Sequence, residues 1–120
     1  LNHTWGKDDI DQLETVVKKY PNAYFLIGHS GGRGEGREAA ESLAQENQNV
    51  YLEWCGSFCS PVTWEKTLLN VNPRQVLFGT DAMVHDINWE LGRLLSLDVP
   101  DKILIPILGQ NMLRILAQRR

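Results

Sequence analysis

The sequence predicts an α/β fold of parallel β/α repeats. Three short apolar runs predict it: Tyr24-Phe25-Leu26-Ile27-Gly28, Val50-Tyr51-Leu52-Glu53-Trp54 and Gln75-Val76-Leu77-Phe78-Gly79. Each is bounded by turn residues and lacks the polar alternation of a half-solvated strand. Helical periods separate the runs. Non-alternating strands separated by helices imply a parallel sheet covered on both faces, joined by right-handed crossovers.

The elements follow in order. Asn2-His3-Thr4 reads as the end of a strand whose beginning lies before it. Ile10, Leu13, Val16, Val17 and Tyr20 share one face of a helix, with Asp8 or Asp9 as cap and Pro21-Asn22 as its stop. Ala39, Ala40, Leu43 and Ala44 mark the next helix, with Glu35 and Glu38 near its positive end. Ser60-Pro61 opens a third as N-cap and first helical residue, carrying Trp64, Leu68 and Leu69. Ile87, Leu91, Leu94 and Leu95 form one stripe after Asp86, another cap. Trp64 and Trp89 lie on helix stripes and are expected in the core. In the tail Pro100 starts a helix, Pro106 is expected to interrupt it, and Leu113, Ile115 and Leu116 resume beyond Gly109. No repeat, linker or low-complexity segment divides the chain, so residues 1–120 read as a single region.

Composition narrows the function classes. An apolar fraction of 42% is enough for a core, and a formal charge of −3 gives no attraction to nucleic acid or to an anionic membrane. No stretch approaches the ~18 apolar residues of a membrane span, and no export signal is visible, so a cytoplasmic protein with a small-molecule substrate is expected. Cys55 and Cys59 stand in C-x3-C spacing, neither a redox pair nor a zinc ribbon, and read as free thiols. The chain begins with Leu1 rather than Met and is expected to be part of a longer protein.

In parallel β/α sheets, chemistry gathers just beyond the carboxyl ends of the strands. That rule selects His29, Ser30, Gly31 and Gly32, then Cys55, Gly56 and Ser57, then Thr80, Asp81 and, a turn later, His85. His3 would stand at the end of the first, partial strand. Imidazole nitrogen and carboxylate oxygen converging on one mouth suit a divalent zinc-like or iron-like ion, with zinc the expected one. A carboxylate beside metal-bound water can also take its proton while a neighbouring His stabilises developing negative charge.

The same residues carry a resemblance. Tyr20-Pro21-Asn22-Ala23-Tyr24-Phe25-Leu26-Ile27-Gly28-His29-Ser30-Gly31-Gly32 resembles the sixth-strand segment of amidohydrolase-related proteins, members of the amidohydrolase superfamily of metal-dependent (β/α)8 barrels. Asn49-Val50-Tyr51-Leu52-Glu53 is similar to their seventh strand. Val76-Leu77-Phe78-Gly79-Thr80-Asp81, with its F-G-T-D ending, is similar to their eighth. Ile103-Leu104 and Gly109 to Leu116 resemble the closing helix. The resemblance implies the C-terminal half of a TIM barrel, strands five to eight with their helices. It implies that Asp81 binds metal and serves as general base, that His29 is a catalytic electrophile or metal ligand, and that His3 is a metal ligand. The implied activity is hydrolysis of C–N or C–O bonds, with decarboxylation in some branches. Two departures stand out: no H-x-H pair exists, and Ala82-Met83-Val84 replaces a Pro that often follows the Asp. A half-barrel would leave sheet edges and apolar surface open, which favours homo-oligomers.

Two other readings compete. Gly28-His29-Ser30-Gly31-Gly32 fits G-x-S-x-G, which would make Ser30 the nucleophile of a serine esterase with Asp81 and His85. Those two lie only four residues apart, and Gly31-Gly32-Arg33-Gly34 reads as a loop rather than the start of a helix, so Ser30 is expected to bond backbone instead. A non-catalytic half-barrel assembly module is the third. Among single residues, His85 reads as a surface or capping residue. Trp5, Trp54 and Cys55 read as core rather than pocket lining. Arg33 and Arg37 read as a solvated face rather than a fork for a substrate carboxylate.

Overall fold

The structure, a computed structural model, describes residues 6–56 and 60–118. The partial strand at Asn2-His3-Thr4, Trp5, Ser57 and Cys59 lie outside the described residues. Three strands form one parallel sheet in sequence order: β1 (Phe25–Ile27), β2 (Val50–Trp54) and β3 (Val76–Phe78). The helices are α1 (Lys7–Lys19), α2 (Glu35–Glu46), α3 (Pro61–Asn70), α4 (Ile87–Leu95), α5 (Asp101–Ile105) and α6 (Asn111–Ala117). None is long and apolar enough to cross a membrane.

Register sorts the side chains. Phe25 pairs with Val50, Ile27 with Leu52 with Val76, and Trp54 with Phe78, so these residues share one face of the sheet. Leu26, Tyr51, Glu53 and Leu77 share the other. On the first face two apolar clusters form. Ile27, Val50 and Leu52 pack with Ile10 and Val17 of α1, with Ala40, Leu43 and Ala44 of α2, and with Val71. Trp54 and Val76 pack with Trp64 and Leu68 of α3, Leu94 of α4, Leu97, Leu104 and Ile107. The Trp54 and Trp64 rings stack at 4.4 Å. On the second face Tyr51 and Leu77 pack against Ile115 of α6, while Leu26 stays 45% exposed.

Some local expectations are corrected. Gly6, not Asp8 or Asp9, is the N-cap of α1; the two acids sit in its first turn, where they still complement the helix dipole. Ser60 and Asp86 do cap α3 and α4, accepting from Thr63 N and Asn88 N respectively. Trp89 is 61% exposed, because the buried line of α4 runs through Glu90 and Leu94. Pro106 does not end the tail helix: its backbone is helical (φ −57°, ψ −41°), and a π turn at Pro106–Gln110 carries α5 into α6. The wider turn absorbs a residue that lacks an N–H and crowds the preceding turn. Asn111, fully buried, then donates through Nδ2 to Pro73 O (2.9 Å) and Val76 O (2.8 Å), tying the tail to the start of β3.

Candidate active site

Both expected catalytic residues stand just past strand ends on strained backbone. After β1 the chain turns at Gly28–Gly31, with His29 at φ 53° and Ser30 at φ 50°. After β3 Asp81 sits at φ 50° and Met83 at φ 91°. Left-handed backbone at non-glycine residues costs energy, and such outliers cluster where a side chain must be aimed. Here the aim converges. His29 Nε2 lies 3.6 Å from Asp81 Oδ2, across the mouth from β1 to β3. His85 Nε2 lies 3.9 Å from the same oxygen, brought round by the turn in which Val84 N and His85 N donate to Asp81 O. These separations exceed hydrogen-bond length. All three side chains retain some solvent access, at 12%, 23% and 17% exposure for His29, Asp81 and His85. His85 is therefore neither a surface residue nor a cap.

Two residues that the sequence reading passed over support this group. Glu53, on the same face of the sheet as Tyr51 and Leu77, accepts from the backbone N–H of His29 (3.1 Å) and from the Cys55 thiol (2.9 Å), both through Oε2. Its other oxygen occupies the space beside Gly79, where an added Cβ would lie 1.7 Å from it. The signal was available: one charged residue interrupts an otherwise apolar strand, and a glycine follows the neighbouring strand. Glu90 is fully buried; it accepts from Trp54 Nε1 (3.1 Å) and from Arg93 Nη1 (2.9 Å to Oε2). An acid in the first turn of a helix reads from sequence as a dipole complement, so nothing marked Glu90.

Several alternatives close. Ser30 is fully buried and donates its hydroxyl to Glu53 O (2.8 Å), which removes it as an accessible nucleophile. Gly31 explains the tight packing there, since a Cβ would stand 2.5 Å from Gly36 O. Trp54 and Cys55 are buried, as expected of core residues. Burial, then the hydrogen bond to Glu53, pushes the Cys55 thiol well above the ordinary cysteine range. Arg37 is no solvated residue: it is 4% exposed, lies over the Trp64 ring at 4.2 Å and donates to Thr67 Oγ1 (2.8 Å). Its guanidinium braces α2 against α3.

The donor types at the mouth suit a divalent ion, yet among the described residues no group of three or more His, Cys, Asp or Glu could hold one. His29 and Asp81 are brought together, and His3 lies outside the described residues, so the set present is partial.

No protein-family model matches the sequence, and no curated protein matches it. Solved structures do match the fold. A dihydroxybenzoic acid decarboxylase from Polaromonas sp. JS666, determined with bound manganese and the inhibitor 2-nitroresorcinol, superposes with a TM-score of 0.71 at 17% identity. A 2,6-dihydroxybenzoate decarboxylase from Rhizobium superposes with a TM-score of 0.73 at 14% identity. Each match covers 95% of this chain and about two fifths of the enzyme, 40% and 41% respectively. The fold is a fragment of a TIM barrel, and the chain spans well under half the length of the barrels it matches.

Proposed function

We propose that this chain carries the His29–Asp81 portion of the active site of a metal-dependent hydrolase or lyase of the amidohydrolase superfamily. The observation that carries the reading is the 3.6 Å approach of His29 Nε2 to Asp81 Oδ2 across the carboxyl ends of β1 and β3, both residues on left-handed backbone. In (β/α)8 barrels that end holds the chemistry, and conserved scaffolds differ there in their loops. The motifs around both residues support the family reading, and the two decarboxylases of like fold favour small aromatic acids as the substrate class over amides or lactones.

Asp81 is the proton-transfer group. In hydrolysis its carboxylate takes the proton of the attacking water; in decarboxylation its protonated form supplies the proton that replaces the departing CO2. His29 faces it and stabilises the negative charge that develops on substrate oxygen. A divalent ion, when bound, supplies Lewis acidity toward that oxygen. His29 and Asp81 would hold it together with donors beyond the described residues, His3 among those expected. Zinc is the ion expected from the donor types; the manganese of the Polaromonas enzyme speaks for a divalent ion rather than for that choice.

The test is turnover by the natural protein that contains this chain, on hydroxybenzoates, before and after chelation and after Mn2+ or Zn2+ is restored. Asp81→Asn is expected to lower kcat by about 10²-fold or more, and His29→Gln by a comparable amount. Unchanged turnover after chelation and in Asp81→Asn overturns the reading and leaves the binding-module alternative.

A further inference from the structure

We propose that the Glu90–Arg93 ion pair is the positioning element of the candidate site, bracing both imidazoles that face Asp81. The proposal rests on the His29–Asp81 reading of the site, but concerns residues of a different element, α4. Glu90 has no solvent exposure at all. A carboxylate so placed needs partners that fix it, and it has them: Arg93 Nη1 at 3.0 Å from Oε1 and 2.9 Å from Oε2, and the Trp54 indole N–H at 3.1 Å from Oε2. Its position is therefore locked to α4 and to the end of β2 at once.

From this anchor two arms reach the site. Along the first, Glu90 Oε1 lies 3.9 Å from His85 Nδ1, and the opposite nitrogen of the same ring faces Asp81 Oδ2. The His85 ring lies between two carboxylates, 3.9 Å from each, one fixed in the core and one at the mouth. Along the second, Arg93 Nη1 also donates to Gly56 O (2.8 Å). Gly56, at φ 88°, lies flat against the His29 ring: a Cβ there would stand 3.1 Å from His29 Nδ1. Holding the Gly56 carbonyl thus holds the backbone on which His29 rests. A single buried pair sets the orientation of a ring on each side of Asp81. The bonds of the pair run to Trp54 and Gly56, and Glu90 faces His85, so the pair reaches Asp81 through the two histidines.

The direct readout is the imidazole 15N–1H spectrum of the chain, with His29 and His85 assigned, recorded on Glu90→Gln, Arg93→Lys and Gly56→Ala. Glu90→Gln keeps the shape and an acceptor for Trp54 but removes the charge; Arg93→Lys keeps the charge but its shorter side chain does not place a donor where Nη1 bridges Glu90 and Gly56 O. Expected: Glu90→Gln shifts the ring signals of both His29 and His85, Arg93→Lys shifts His29, and Gly56→Ala shifts His29 alone. The methyl signals of Val50 and Leu52 report that the core is intact; if Glu90→Gln loses them, Arg93→Lys decides. A His29 signal unmoved in Arg93→Lys, or a His85 signal unmoved in a folded Glu90→Gln, overturns the proposal. In the natural protein, kcat should fall about tenfold in Glu90→Gln with KM changed little. Loss of the site reading through an active Asp81→Asn would leave the spectra unaffected, so the two failures are distinguishable.

Discussion

On the helix-covered face of the sheet, Val50, Leu52, Trp54 and Val76 have no solvent exposure; two helices pack on the first pair and at least three on the second. On the opposite face Tyr51 and Leu77 find cover only under α6, Leu26 remains nearly half exposed, and Glu53 occupies the same row. Both faces are made by the same three strands with the same pleat. The difference lies in what each face is for in a barrel: one meets the outer helices, the other points to the interior, where layers from all the strands fill the space. Among the described residues the helix-covered face is packed throughout, while the other row is covered at Tyr51 and Leu77 and open at Leu26. The site stands at the border, with residues past the strand ends drawing support from both.

That comparison can be sharpened by mutation, read as urea midpoints of the chain. Trp54→Ala should cost most, about 3–5 kcal/mol, because it empties a fully buried site, breaks the stack on Trp64 and leaves Glu90 without its indole donor. Ile115→Ala, which strips the α6 cover from Tyr51 and Leu77, should cost about 2 kcal/mol; a loss as large as that of Trp54→Ala would show the inward face to be as fully built as the outward one. Asp86→Ala should cost about 1 kcal/mol by removing the cap of α4. Leu26→Ala should change stability least, by under about 0.5 kcal/mol, since its side chain is already half in water. A large loss there would mean that the inward face is covered in solution.

Cys55 adds a pH test on the same border. Its thiol is raised in the folded chain, so the unfolded chain loses that proton first as pH rises. Stability from this residue is therefore full below the ordinary thiol range, about pH 8.5, and declines above it. Alkylation of the Cys55 peptide at pH 8, followed by mass spectrometry, should be slow in the folded chain and fast in urea; equal rates would contradict the burial.

The strands and helices were legible because each rests on short-range chemistry: Phe25-Leu26-Ile27 and Val76-Leu77-Phe78 have nowhere to go but a buried sheet, and Ser60-Pro61 and Asp86 announce helix starts. The positions of His29 and Asp81 just past strand ends were legible from the strand pattern, and their 3.6 Å approach follows from the strand ends of one parallel sheet sharing one mouth. What failed depended on neighbours distant in sequence. Trp89 and Glu90 differ by one position on α4, and the ion pair with Arg93, together with the Trp54 indole, lets the acid go inward while the indole of Trp89 stays outside. Arg37 was read as solvated because its partners, Trp64 and Thr67, lie a strand and a helix away. Pro106 was read as a break because local rules do not foresee a π turn. Glu53 was visible in the sequence as one residue of a strand, and nothing local marks it as the acceptor of the His29 N–H, which lies 24 residues away.

The left-handed residues around the mouth bear on how this sequence can drift. Glycine at 29 or 81 would relieve backbone strain of about 1 kcal/mol at each position, and asparagine would tolerate it better than most side chains. A population of variants screened for thermal resistance alone would therefore accumulate Gly or Asn where His29 and Asp81 now stand, and would lose the paired imidazole and carboxylate as it gained robustness. Retaining His and Asp at those two positions under such a screen would require a second pressure, and the strength of that pressure is a measure of what the pair does.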